Sequence, residues 1–225
     1  IIMIKKFIHK KSLMYKPYLY FRMFWIEKFF FKRKSYSQCG EDIFVEKFFK
    51  KKDFGLFVDL GAYNPIKFNN TYLLYQKGWR GINIDLNQTS IDLFNIIRKK
   101  DKNILAAISD KKEKTKIFIE NIFSPLNTIV KNFNHKISKK NTINIVTKKF
   151  NELVKIKIDF LNIDIEGMDF RVLKSINLKF YNPKLICVEI FGDKNINNVK
   201  KYLKVKNYLY IKKIGPSYFF RLLSK

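Results

Sequence analysis

From Ser35 to the end of the chain, short apolar runs alternate with polar, turn-forming stretches. Leu56–Leu60 is one such run. It carries Asp59 and stops at Gly61, the pattern of a buried strand entering a turn. Asn69–Lys77 has helical spacing and is stopped by Gly78, and Gly81–Asp85 reads as a second strand. Thr89 or Ser90 can cap a helix reaching Lys99, and Asn103–Ile108 reads as a third strand. Ser109–Lys114 is polar and turn-like, and Lys116–Glu120 alternates as an extra edge strand would. Asn121–Thr147, with Ser124, Pro125 and many Asn, reads as a loop-rich insertion. The rhythm then resumes: Ile158–Ile165 as a strand, Met168–Ser175 as a helix, Lys184–Ile190 as a strand and Asn195–Lys204 as a helix. Tyr208–Lys213 and Tyr218–Leu222 can close the sheet as a hairpin. Strands alternating with helices predict an α/β fold: a doubly wound, Rossmann-like, mostly parallel sheet with an antiparallel C-terminal strand.

The 34 residues before this rhythm are of another kind. They hold ten Lys/Arg against Glu27 alone, and Tyr15, Tyr18, Tyr20, Phe21, Phe24, Trp25 and Phe29–Phe31 are interleaved with the cations. The organisation expected is therefore a basic aromatic extension over 1–34 and an α/β domain over 35–225. Cations mixed with aromatics suit the plane of an anionic membrane. They also suit stacking on single-stranded nucleic acid, or an aromatic helix docked on the domain with its lysines in water.

Composition narrows the field. At 47% hydrophobic and 16% aromatic the chain is not disordered, and 225 residues suffice for one full core. The net charge of +27 would favour anionic partners, yet Lys, Asn, Ile, Phe and Tyr are abundant together and the surplus is spread along the chain, as biased composition alone would produce. Cys39 and Cys187, with His9 and His135, are too scattered for a zinc cluster or redox pair, and two unpaired thiols fit a cytoplasmic protein. The first residues lack a signal-peptide cleavage site, and no run of about 18 uncharged apolar residues occurs.

Buried parallel strands should be almost wholly apolar, so acids at their ends are informative. Asp59, Asp85 and Asp164 each close a strand, Glu166 follows Asp164, and Glu189 ends LICVE. Open α/β sheets bind ligands beyond the carboxyl ends of their strands, so these acids predict a shared crevice. The first turn, VDLGAYNP, is neither GxGxxG nor a P-loop, and an acid there would repel a pyrophosphate. It would favour a cationic ligand such as S-adenosylmethionine, with Asp85 placed to accept from ribose hydroxyls.

These pieces, together with SQCGED (37–42), NNTYLLYQKGWRGINID (69–85), DFLNIDIEGMDFRVLKSI (159–176) and PKLICVEI (183–190), resemble the FkbM-type methyltransferases from about Tyr36 to Phe191. The resemblance implies a class I methyltransferase fold and transfer of a methyl group, typically to oxygen. Carried over by position, it places Asp59, Gly61, Ala62, Asn64, Asp85 and Asp164 at the cofactor, and Ala107, Ser109 and Asp110 near the adenine. It brings Gln38, Glu41 and Asp42 in from the N-terminal side.

Asp164 and Glu166 are the catalytic candidates. As neighbours on one face of a strand, either could take a proton from an acceptor hydroxyl, or both could hold a Mg²⁺, although further ligands are not evident. His135 is a second, weaker candidate for the base. A sugar, glycan or other small-molecule hydroxyl is the expected acceptor. The alternatives are an RNA methyltransferase, which the charge would suit, and a non-catalytic, membrane-associated member of the fold. The extension 1–34 would hold such an enzyme at the inner membrane surface, where lipid-linked glycans are built.

Overall fold

A computed structural model describes residues 12–26, 33–121, 124–131, 142–190 and 193–223. His9, Glu27, Phe29–Phe31 and His135 lie outside the described residues. The chain divides into two units, Ile1–Lys34 and Ser35–Lys225. In the first, helix α1 (Tyr15–Phe21) runs into a π-helical turn, Arg22–Ile26. Residues four apart meet on one helix face, which stacks Tyr20 on Phe24 and Phe21 on Trp25, with ring centroids 6.2 and 6.5 Å apart.

The second unit is built on a seven-stranded sheet. In chain order its elements are α2 (Glu41–Phe48), β1 (Leu56–Leu60), α3 (Tyr72–Gln76), β2 (Arg80–Asp85), α4 (Gln88–Ile97), β3 (Lys102–Leu105), β4 (Lys114–Phe118), β5 (Thr142–Val146), α5 (Phe150–Leu153), β6 (Phe160–Ile163), α6 (Asp169–Ser175), α7 (Leu178–Tyr181), β7 (Leu185–Glu189), α8 (Asp193–Val205), β8 (Tyr208–Ile214) and β9 (Ser217–Leu222). The sheet order is β3-β2-β1-β6-β7-β9-β8, and the first five strands are parallel. β9 is antiparallel to β7 and to β8, as expected of the C-terminal hairpin. The chain winds outward from β1 through β2 to β3, then returns to pair β6 with the other side of β1. That reversal opens a crevice beyond the carboxyl ends of β1 and β6.

Period-two alternation sorts the strands between two cores. Val58, Leu60, Leu161, Ile163, Ile186 and Val188 pack on the side of α6 and α8. Phe57, Trp79, Phe160, Leu185 and Phe219 pack on the other side with Val45 and Phe49.

Three expectations change. The strand expected over Lys116–Glu120 is β4, and it leaves the main sheet to pair antiparallel with β5 in a two-stranded sheet of its own. The Asn121–Thr147 stretch is therefore not merely loop. Its β5, Thr-Ile-Asn-Ile-Val, carries a short apolar alternation that the Asn- and Lys-rich residues around it obscure. The helix expected from Asn69 begins at Tyr72, because the Asn69 and Thr71 side chains bond the strand-end network described below. Finally, α4 is capped by Asn87, whose side chain accepts from Thr89 N at 3.0 Å.

Candidate active site

Gly61 turns the chain sharply after β1. Its φ is +74°, and a Cβ there would fall 1.6 Å from the Asp164 carbonyl oxygen, so only glycine allows β1 and β6 to approach this closely at their ends. Gly61 N and Ala62 N donate to the Ile84 carbonyl at 2.9 and 3.3 Å, and Asp164 N donates to the Leu60 carbonyl at 3.0 Å. The ends of β1, β2 and β6 are thus stitched into one rim.

A cavity of about 210 Å³ opens beyond that rim, far larger than a packing void. Of the residues singled out in the sequence, Gln38, Gly61, Asp85, Ala107, Asp164 and Glu166 line it. So do Tyr63 and Glu189, which lie within recognised motifs without having been assigned to the ligand, and Phe68 and the turn Ser124–Asn127, which belong to no motif recognised in the sequence. Glu189 carried a signal, an acid closing an apolar strand. The Ser124–Asn127 turn carried none beyond Pro125.

Asp85 is buried at the end of β2. Its carboxylate accepts from Tyr63 N at 2.8 Å and from Asn87 N at 2.6 Å, which ties the first turn to the helix after β2. Burial pushes its pKa up to about 6 against the pull of those two amides. Each carboxylate oxygen keeps a second lone pair for a ligand hydroxyl.

Asp164 and Glu166 do not share a strand face as expected, because β6 ends at Ile163 and both lie in the following turn. Glu166 is left-handed, with φ +52°. The turn is held from below by the Asp169 carboxylate, which accepts from Ile165 N at 2.9 Å and Gly167 N at 3.0 Å. From above, the Thr128 hydroxyl donates to the Glu166 carbonyl at 2.8 Å. The insertion between β4 and β5 therefore clamps the turn that presents Glu166. Burial, then the charges of Asp164 and Asp169, push the Glu166 carboxyl up to about 8. Burial, then the neighbouring Glu189 charge, push the Asp164 carboxyl well above its ordinary value.

Asp59 does not line the cavity. It faces the opposite core, where Asn162 Nδ2 donates to its Oδ1 at 2.8 Å and the Thr71 hydroxyl to its Oδ2 at 3.0 Å. Thr71 also takes both terminal nitrogens of the fully buried Arg98 at 2.9 Å. Arg98 sits 3.6 Å from Asp101 through Nε and lies among the rings of Phe57, Tyr72, Tyr75 and Phe94. Asp59 is thus the centre of a buried polar network behind the site.

The remaining expected residues frame the cavity without lining it. Asp42 accepts from Tyr36 N and from the Ser35 and Ser37 hydroxyls, and Glu41 accepts from Cys39 N, so the two acids shape the loop that presents Gln38. The Asn64 side chain accepts from Ile66 N and Lys67 N and closes a turn. Ala62 is buried, Ser109 bonds Lys148 through its backbone, and Asp110 forms an ion pair with Arg171 at 2.9 Å.

Among the described residues, the lining contains four carboxyl side chains and no Lys, Arg or His. A cation is therefore favoured there and a polyphosphate opposed. No group of three or more His, Cys, Asp or Glu among the described residues is arranged to hold a metal ion.

A seven-stranded Rossmann-like sheet with its cavity at the β1/β6 reversal is the architecture of a class I methyltransferase. The methyltransferase FkbM domain model matches residues 59–210, and the chain belongs to that methyltransferase family. No curated protein matches the chain.

Proposed function

We propose that this methyltransferase takes its methyl group from S-adenosylmethionine and delivers it to a hydroxyl of a sugar, glycan or other small molecule. The observation that carries the reading is the cavity lined by Asp85, Asp164, Glu166 and Glu189, without a cation among its described residues, at the carboxyl edge of the sheet.

The residues fit that donor. Asp85 is buried with lone pairs open toward the cavity and would hold the ribose hydroxyls. Asp164 and Glu189 offer negative charge to an ammonium or sulfonium, and Ala107 and Leu86 offer an apolar wall to a base. The donor, when bound, supplies an electrophilic methyl carbon. The protein's part is to align the acceptor with it and exclude water, which the Ser124–Asn127 turn does from one side. An alcohol attacks poorly until its proton is removed. Glu166 is the group for that proton, because its pKa of about 8 places its carboxylate oxygens near the operating pH as a general base. Asp164, which burial and the Glu189 charge push well above its ordinary value, meets Glu189 and is read as part of the site for the donor's positive charge.

Calorimetry with S-adenosylmethionine on wild type and Asp85→Ala tests the donor. Micromolar binding by wild type, lost in the variant, supports the reading, and no heat with either chain sinks it. Labelled-methyl transfer into fractionated cell extract then identifies the acceptor. An RNA acceptor would replace the small molecule if the label appeared in RNA and binding fell steeply with salt.

The extension 1–34 is read as a peripheral contact with the anionic inner face of the membrane. Exposed Tyr20, Phe21, Phe24 and Trp25 around the π turn support that reading. Among the described residues no helix is long and apolar enough to cross a membrane. Flotation of the chain with and without residues 1–34 tests the contact, and equal soluble fractions would dismiss it.

A further inference from the structure

Exposed lysines gather along one edge of the catalytic unit's sheet and are sparse around the cavity. Because β1, β2, β3, β6 and β7 are parallel and in register, the segments that feed them all emerge at one edge, opposite the cavity. Backbone bonds tie these segments together: Arg80 N to Gly55 O, Asp159 N to Leu56 O, Lys184 N to Asp159 O and Leu222 N to Lys184 O. They form one continuous surface.

That surface is basic. The segment into β1 presents Lys50 and Lys51, the segment into β3 presents Lys99 and Lys100, and the segment into β6 presents Lys155 and Lys157, all exposed. Lys184 before β7 and Lys204 and Lys206 before β8 extend it. The acids in these segments are mostly turned inward or paired. Asp101 is buried against Arg98 and Gly81 N, and Asp159 is bonded by Lys52 and Leu56 N, which leaves Asp53 exposed. Around the cavity the balance differs. In the described turns after β1, β2, β6 and β7, Lys67 is the one lysine, against Asp164 and Glu166 in the turn after β6 and Asp85 and Glu189 at the strand ends. Lysines return only at the margins, Lys111 (paired with Glu113) and Lys112 after β3 and Lys212 and Lys213 near the end of β8.

Apolar side chains stand among these lysines. Phe54 is 75% exposed and Val205 81%, with Ile156 and Phe180 nearly half exposed. Each sits beside a lysine in sequence or one residue removed from it. A folded domain gains nothing by presenting such side chains to water at one edge. An anionic polymer would use the lysines and leave Val205 and Ile156 idle. An anionic lipid surface uses both, since the lysine heads meet phosphates while the apolar tips enter the boundary between headgroups and acyl chains.

We propose that the amino-end edge of this sheet is a docking surface for an anionic membrane, separate from the extension 1–34, which holds the catalytic cavity facing away from the lipid.

The test is co-sedimentation of the full chain with phosphatidylcholine vesicles, with and without phosphatidylserine at about three parts in ten, at a physiological ionic strength of about 0.15 M. One variant carries Lys99→Glu, Lys100→Glu, Lys155→Glu and Lys157→Glu. A second carries Phe54→Ser, Ile156→Ser and Val205→Ser with its charge unchanged. The expected result is binding by wild type to the anionic vesicles alone, on the order of tenfold weaker in the first variant and several-fold weaker in the second. Both variants should keep their circular dichroism and their calorimetric response to S-adenosylmethionine, none of the substituted residues being at the cavity. Wild-type partition by both folded variants, or no vesicle binding by wild type, overturns the proposal. So does a charge variant that loses affinity for single-stranded RNA beside an apolar variant that loses nothing, which would make the edge a nucleic-acid surface.

Discussion

Beyond the ends of the neighbouring strands β6 and β7, the carboxyls of Asp164 and Glu189 meet, and burial together with their mutual charge holds both above the ordinary carboxylate range, Glu189 at about 7. Like charges that share a buried site oppose each other's ionisation, so each carboxyl raises the other. Of the two other carboxyls lining the cavity, Asp85 is bonded by the Tyr63 and Asn87 amides, and Glu166, in the turn beyond, is pushed up to about 8. The paired acids supply fixed charge for a cation, and the lone acid is poised to accept a proton.

Glu166→Gln should therefore lower kcat by about 10²–10³ while changing KM little, because proton acceptance matters in the transition state and not in binding. The wild-type kcat/KM should rise with pH and reach half its plateau at about 8, the value to which burial pushes this carboxyl in the free protein. The residual rate of the variant should not follow that curve. A variant that kept the wild-type pH profile would assign the proton to another group.

Asp85→Ala should weaken S-adenosylmethionine binding by roughly 10–100-fold, the worth of hydrogen bonds to a charged acceptor. Its carboxylate also bonds Tyr63 N and Asn87 N, so Asp85→Asn is the cleaner substitution, keeping one acceptor oxygen for those amides. Calorimetry at one pH decides: wild-type affinity in both variants would remove Asp85 from the ligand.

Asp59 should behave in the opposite way. It lies behind the cavity, bonded to Asn162 and Thr71 and balancing Arg98, so Asp59→Ala should cost about 3–5 kcal/mol of stability by leaving a buried cation short of its counter-charge. Denaturant titration would measure that loss. In the fraction that remains folded, donor affinity should change less than in Asp85→Ala. A stable Asp59→Ala chain that had lost donor binding would move Asp59 from the network to the ligand.

How far the sequence discloses this site follows from which physical signals are local. Buried parallel strands announce themselves as apolar runs, so β1, β2, β6 and β7 and the acids closing them were legible, and with them the shared crevice. Which side of β1 Asp59 serves was not legible, since that depends on where Thr71 and Arg98 arrive from elsewhere in the chain. The direction of Glu166 was hidden for a related reason. Its left-handed turn is held by Thr128, across an insertion with no motif. The lysines that feed the strands looked scattered along the chain because they are separated by whole βα units, and only the parallel sheet gathers them at one edge.

The raised carboxyls also make donor binding and stability depend on pH in opposite senses. In the ligand-free protein Asp85 and Asp169 titrate at about 6 and Glu166 at about 8, all above their unfolded values. Below the unfolded values, near pH 4, these groups are protonated in both states and their contribution to stability is fully present. As pH rises through about 6 and then about 8, the unfolded chain has already released protons that the folded chain still holds, and that contribution is lost. A cationic ligand reverses the balance, because it lowers these pKa values and expels the protons. S-adenosylmethionine affinity should therefore rise between pH 6 and 8 while the ligand-free melting temperature falls. Calorimetry at pH 7 in two buffers of different ionisation enthalpy would count the protons released. Net release is the expected result. Zero release with a pH-independent affinity would mean that these carboxylates do not meet the positive charge of the donor.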